Sequence, residues 1–253
     1  MQTREHHYGS QFHLINNTFL QTLLTELCQE KTTQPQLNRL VKEIYHGLIS
    51  STANLLFPQM EQSVKTRMNH ELRSPGFDPS TKAVCVNLAR AGTYPSHICY
   101  EFLHWILPAK NIRQDHIFAS RLTNESEQVT GTHLGGYKIG GEVENSFILF
   151  PDPMGATGST IISAIDTYEN KIKGAPKKYI ALHLVVTPEY LKKVLTHSPK
   201  LTVVALRVDR GLSDKKILES PLGLYWDLEK GLNEKQYIIP GAGGLGELLN
   251  NEG

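Results

Sequence analysis

Phe147-Ile148-Leu149-Phe150-Pro151-Asp152-Pro153-Met154-Gly155-Ala156-Thr157-Gly158-Ser159-Thr160 is the stretch whose reading decides the fold. An apolar run reads as a buried strand. It ends on an acid, turns through glycines and runs into a helix with hydroxyls at its mouth. Backbone N–H groups, a helix N-terminus and hydroxyls then surround one small space, which suits a phosphate. Gly155 and Gly158 let the backbone come close, and Ser159 and Thr160 cap the helix. Asp152 stands beside that space, placed to accept from the hydroxyls of a sugar. An ordinary strand-to-helix turn has the same outline, so the stretch by itself is a lead toward a phosphorylated ribose.

Outward from this stretch, strands and helices alternate. Residues 83–88, 117–119, 146–150, 179–186 and 201–206 read as strands. Residues 97–107, 161–168 and 188–195 read as helices, the last begun at Thr187. Strands separated by helices of roughly 10–15 residues predict an α/β fold, a mostly parallel sheet with helices on both faces. Two helices precede it. Leu20, Leu23, Leu24 and Leu27 share one helical face. The second follows Thr33, a candidate N-cap, with Pro35 in its first turn and an apolar face of Leu37, Leu40, Val41, Ile44 and Leu48. Residues 1–13 are polar and read as a loose arm, and residues 73–79 as a loop. The chain is expected to form one domain, a helical part over 1–74 packed on a sheet core over 75–253. Residues 122–145, polar and glycine-bearing, read as a loop or hairpin arm, mobile near a ligand site.

Composition narrows the function classes. At 253 residues the chain buries a core readily. With 26 basic and 25 acidic residues, its net charge of +1 leaves no nucleic-acid or membrane surface held by bulk charge. The 3 cysteines form no CxxC pair, so neither a zinc site nor a full disulfide framework is expected. That usage fits the reduced cytoplasm. The first residues lack the apolar core of a signal peptide, and no run of about 18 apolar residues occurs.

Ligands of an open parallel sheet sit at the carboxyl ends of its strands. Two further loops belong there. Leu88-Ala89-Arg90-Ala91-Gly92-Thr93 follows a strand, and Arg90 offers a fork of donors to a diphosphate. Tyr237 to Gly246 reads as an apolar strand feeding a glycine loop, whose exposed backbone N–H and C=O groups are enough to read a flat heterocycle. A surface arginine beside a turn and a flexible terminal loop would look the same. His97, His104 and His183 read as packing residues. There is no nucleophile elbow and no Walker lysine loop.

Taken together and in this order, the loops resemble the uracil phosphoribosyltransferase family. The family's Asp-Pro-Met-Leu-Ala-Thr-Gly-Gly-Ser stands here as Asp152 to Thr160. Its Leu-Arg-Ala-Gly is similar to Ala89-Arg90-Ala91-Gly92, and its Tyr-Arg before an arm to Ser120-Arg121. Its Gly-Leu-Asn-Glu-Lys…Tyr-Ile-Val-Pro-Gly-Leu-Gly is similar to Gly231 through Gly243. The resemblance runs from about residue 14 to 250.

The resemblance implies a type I phosphoribosyltransferase fold and the reaction of uracil with 5-phosphoribosyl 1-diphosphate (PRPP) to give UMP and diphosphate. It implies Mg²⁺ travelling with PRPP, and no metal site of the protein's own. Asp152 would bind the ribose hydroxyls. Pro153, Met154, Gly155, Ala156, Thr157, Gly158, Ser159 and Thr160 would surround the 5-phosphate. Arg90 and Arg121 would contact the diphosphate. The backbone of Ile238, Gly243, Gly244 and Leu245 would hold uracil. Relatives associate as dimers or larger, and some are activated by GTP, so a homo-oligomer and a GTP activator are implied as well.

The chain departs from the family at several points. Gly244 stands where the family has the aspartate serving the magnesium–diphosphate side. Glu247 replaces a second aspartate, and Leu248 an arginine. Gly155 replaces a leucine and Ser159 a glycine, Cys28 falls near a family arginine, and residues 208–230 read as an insertion. Glu247, Asp209 and Asp227 are the candidates to supply the missing acid. The departures keep two alternatives open: a phosphoribosyltransferase for another base, and a nucleotide- or PRPP-sensing protein that does no chemistry.

Overall fold

The computed structural model describes residues 3–123 and 129–251, without the side chains of residues 120–134. A short strand β1 (Phe12–Leu14) leads into α1 (Thr18–Leu27), whose N-cap Asn17 accepts from the Leu20 amide. Helix α2 (Gln36–Leu56) buries Leu37, Leu40, Val41, Ile44 and Leu48, as the helical period requires. Then come β2 (Gln59–Lys65), β3 (Glu71–Phe77), β4 (Lys82–Ala89), α3 (Thr93–Leu103), β5 (Ile112–Thr123) and β6 (Val129–Lys138). The rest is β7 (Ser146–Pro151), β8 (Met154–Gly155), α4 (Ser159–Lys171), β9 (Lys178–Val186), α5 (Pro188–His197), β10 (Leu201–Val208), α6 (Lys215–Leu218) and α7 (Leu245–Leu248).

The main sheet runs β1-β10-β9-β7-β4-β5-β6, with β8 on β9. Every pair is parallel except β5 with β6. Strand periodicity sends alternate side chains to opposite faces. Phe147 and Leu149 of β7 join a core with Leu24, Ile44 and Leu103 of the first three helices. Ile148 and Phe150 join a second core with Ile165 and Tyr168 of α4 and Leu191 of α5. Each such side chain contributes about 1.5–3 kcal/mol by leaving water. The predicted sheet covered on both faces is the fold observed. Among the described residues no helix is long and apolar enough to cross a membrane.

Several local expectations are corrected. Of the loose arm expected over residues 1–13, the described residues 3–13 are tied down: Phe12 pairs with Val203 of β10, and Tyr8 is buried; residues 1 and 2 lie outside the described residues. A strand of 3 residues is too short to show a period. Residues 73–79 are mostly strand, because Glu71–Phe77 pairs antiparallel with Gln59–Lys65. That hairpin is largely exposed, so no apolar alternation marks it, and Pro75 is tolerated in a two-stranded ribbon. Helix α3 starts at Thr93, with Pro95 in its first turn, ahead of the expected 97. Of the two forms expected for the arm over 122–145, the hairpin is the one seen: β5 and β6 pair antiparallel, Phe118 opposite Gly136. Residues 124–128 of that arm lie outside the described residues. The Tyr237 segment is not a strand but makes one isolated bridge, Leu232 with Ile238.

Candidate active site

A cavity of about 720 Å³ opens at the carboxyl ends of β4, β7 and β9, and all three predicted loops line it. Arg90 and Ala91 come from the first loop, Asp152, Met154, Ala156, Thr157, Gly158, Thr160 and Ile161 from the second, and Ile238 with Gly243 to Glu247 from the third.

The middle loop leaves β7 at Asp152, whose amide donates to the Leu182 carbonyl. The Pro153 carbonyl accepts from Leu184 and Val185, and the Gly155 carbonyl from Thr187. The Thr187 hydroxyl donates to the Ala156 carbonyl at 2.8 Å. These bonds fix the loop to β9 before it enters α4. At the helix mouth Gly158 adopts φ 78°, a left-handed conformation costly for other residues. A Cβ there would stand 2.5 Å from Val194 Cγ1. At Gly155 a Cβ would stand 2.7 Å from Val186 Cγ1 and 3.2 Å from Tyr190 Cδ1. The glycine that departs from the family's leucine is thus explained by what fills the space beneath it.

That floor is a pair, His183 and Tyr190, of which the sequence marked only His183, as a packing residue. His183 is fully buried, with Nδ1 2.5 Å from the Asp152 carbonyl oxygen and Nε2 2.5 Å from Tyr190 Oη. One neutral tautomer satisfies both contacts: Nδ1–H donates to the carbonyl, and Nε2 accepts from the tyrosine O–H. Burial pushes the His183 pKa down to about 4, against the opposing hydrogen bond to Asp152. Burial, and then the charge of Asp152, raise the Tyr190 phenol well above its ordinary range. The signal that could have found His183 is its place as the lone polar residue inside the apolar run of β9. As expected it packs in a strand, but it also lines the cavity.

The arginine loop leaves β4 through a cis Ala89–Arg90 peptide. The Gly92 amide closes it by donating a hydrogen bond to the Leu88 carbonyl, and the Thr93 amide donates to the Arg90 carbonyl. A Cβ at Gly92 would stand 2.8 Å from the Leu88 oxygen and 3.0 Å from the Pro151 oxygen. Glycine therefore lets the first two loops lie side by side.

The third loop is clamped from below by the end of β10. Asp209, 2% exposed, accepts from Arg207 Nε at 2.6 Å and Nη2 at 2.8 Å. It also accepts from the Gly241 amide at 2.7 Å, while Arg207 Nη2 donates to the Gly241 carbonyl at 3.0 Å. Gly241 and Gly243 take φ of 65° and 73°. The predicted insertion folds around this clamp: Arg210 pairs with Glu229, which also accepts from Tyr8.

Of the predicted site residues, Arg90, Asp152, Met154, Ala156, Thr157, Gly158, Thr160, Ile238, Gly243, Gly244 and Leu245 line the cavity together. Pro153, Gly155 and Ser159 do not. The first two carbonyls are taken by β9 and Thr187, and the Ser159 hydroxyl accepts from Lys193 of α5 at 2.8 Å. Arg121 sits in β5 opposite Thr132, and its side chain lies outside the described residues. Among the described residues no group of three His, Cys, Asp or Glu side chains is placed to hold a metal ion. The cavity offers the carboxylates of Asp152 and Glu247. Oxygen donors fit a hard ion such as Mg²⁺, provided a ligand's phosphates complete its shell.

A doubly covered parallel sheet, a glycine and hydroxyl loop opening a helix beside an acid, and an arginine loop next to it define the type I phosphoribosyltransferase class. The solved structure of the AQ2163 protein from Aquifex aeolicus has this fold, with a TM-score of 0.69 at 20% identity over 94% of this chain and 97% of that one. The family model for uracil phosphoribosyltransferase matches residues 14–227, and the chain belongs to that family. It is 23% identical to uracil phosphoribosyltransferase 2 of Schizosaccharomyces pombe over 90% of this chain and 89% of that protein. It is 31% identical to the uracil phosphoribosyltransferase of Thermococcus sibiricus over 40% of this chain, a stretch covering 34% of that protein.

Proposed function

We propose that the chain, acting as one domain, transfers the 5-phosphoribosyl group of PRPP to uracil, releasing diphosphate and forming UMP. The observation that carries this is the meeting of the three loops on one cavity. In the reaction the bond from the anomeric carbon to diphosphate breaks, and its electron pair leaves with the diphosphate oxygen. A uracil nitrogen forms the new bond to the anomeric carbon, and its proton passes to solvent water. Positive charge builds on the ribose, negative charge on the leaving oxygen.

Each loop meets one part of that need. The amides at the mouth of α4 and the Thr157 and Thr160 hydroxyls hold the 5-phosphate. Asp152 accepts from the ribose hydroxyls and fixes the ring, and the His183–Tyr190 floor fixes the backbone of Asp152. Arg90 stabilises the charge on the leaving diphosphate. The glycine backbone around Ile238 and Gly243 to Leu245 reads the edge of uracil. Alignment of base and sugar supplies the rest, and no protein nucleophile is needed. Bound with the diphosphate, Mg²⁺ would neutralise its charge. Association of copies of the chain and activation by GTP belong to the same proposal and are supported by family likeness.

The test is Asp152→Asn. UMP formation should fall about 10²–10³-fold, the scale of a lost charge-stabilising group, with the melting temperature kept. Near-normal turnover in that variant would sink the ribose role.

A further inference from the structure

Position 244 lacks an acid, and the structure decides among the side chains able to replace it. Both oxygens of Asp209 are engaged by Arg207, and one also by the Gly241 amide, so it is committed to the clamp. Asp227 is exposed and pairs with Lys192, and it does not line the cavity. Glu247 lines it. A Cβ built on Gly244 would overlap Glu247 Oε2, so this carboxylate lies where a side chain from position 244 would project. Between the two, Gly246 rests on the arginine loop: a Cβ there would stand 3.4 Å from that of Ala91. Glu247 therefore lies next in chain to the residue that meets the arginine loop, at the end of the cavity that this contact marks. A bare carboxylate repels a diphosphate at that end, and a cation between them reverses the sign.

We propose that Glu247 supplies the carboxylate missing at position 244 and faces the hydrated Mg²⁺ that accompanies the diphosphate of PRPP. Mg²⁺ keeps several waters and takes one or two carboxylates, so a single exposed glutamate suffices. This inference rests on the phosphoribosyl-transfer reading above. Its bland rival is a helix cap, since a glutamate at the third position of a helix commonly reaches back to the residue that starts it.

Calorimetric titration of PRPP, with and without Mg²⁺, separates these on three proteins: the unaltered chain, Glu247→Gln, and the exchange variant Glu247→Ala/Gly244→Asp. Gly244 has φ −80°, open to aspartate, and Glu247→Ala vacates the space. Glu247→Gln should weaken PRPP binding about tenfold or more in Mg²⁺, and without Mg²⁺ it should not weaken binding but tighten it, because the repelling charge is gone. The exchange variant should regain most of the loss. An unchanged Mg²⁺ dependence in Glu247→Gln overturns the inference. So does an equal loss with and without Mg²⁺, which marks a cap, and so does an exchange variant that recovers nothing. An unaltered chain that binds no PRPP at any Mg²⁺ concentration overturns the phosphoribosyl-transfer reading, and this inference with it.

Discussion

Lowering the pH from 8 to 5 should destabilise this protein through His183, and His183→Gln should abolish that part of the loss. Burial holds the folded pKa at about 4, against 6.5 for an ordinary histidine. Between those values the unfolded chain takes up a proton that the folded chain refuses. Stability therefore falls as the pH falls through this window, and is flat above it. One pKa unit is worth about 1.4 kcal/mol, so the full window amounts to roughly 3 kcal/mol, of which roughly 2 are already lost at pH 5. For a chain of this size that is a drop in melting temperature of about 4–8 °C. The assay is thermal unfolding at both pH values for the two proteins, taking the difference of differences. His6 and His13 are also lowered by burial, but they act alike in both proteins and cancel. Equal pH slopes in His183→Gln and the unaltered chain would refute the neutral, buried His183–Tyr190 floor.

Gly158→Ala should cost about 1–2 kcal/mol from its left-handed backbone alone, and more from contact with Val194. It should also raise the KM for PRPP, read from melting curves and steady-state kinetics. Asp209→Asn should loosen the third loop, costing about 1–3 kcal/mol. Kinetics with each substrate varied should show the KM for uracil rising more than that for PRPP. Arg90→Ala should raise the KM for PRPP about tenfold or more, as for the loss of a charge-assisted hydrogen bond, and leave uracil's unchanged.

The central strands were legible because both their faces are covered. Residues 83–88, 146–150, 179–186 and 201–206 are near-continuous apolar runs, which burial on two sides demands. The β2–β3 hairpin was hidden for the opposite reason: with little buried, its sequence carries no alternation. Strand β1 was hidden by length. In the site, loops were legible where the chain must itself adopt a special shape, as at Gly92 and Gly158. Features made by distant segments were not. The His183–Tyr190 floor joins β9 to α5, and the Arg207–Asp209 clamp joins β10 to Gly241. Of the three acids weighed against the missing one, only packing distinguishes Glu247, because the choice depends on which carboxylates other groups already hold.

The central claim is that this cavity joins uracil to phosphoribose. The most direct measurement is nucleotide formation from PRPP and Mg²⁺ with a panel of bases: uracil, cytosine, adenine, hypoxanthine and guanine. UMP forming with uracil, with stoichiometric diphosphate and little product from the other bases, is the predicted result. Product from another base in preference to uracil, or PRPP binding with no nucleotide formed at all, would contradict it.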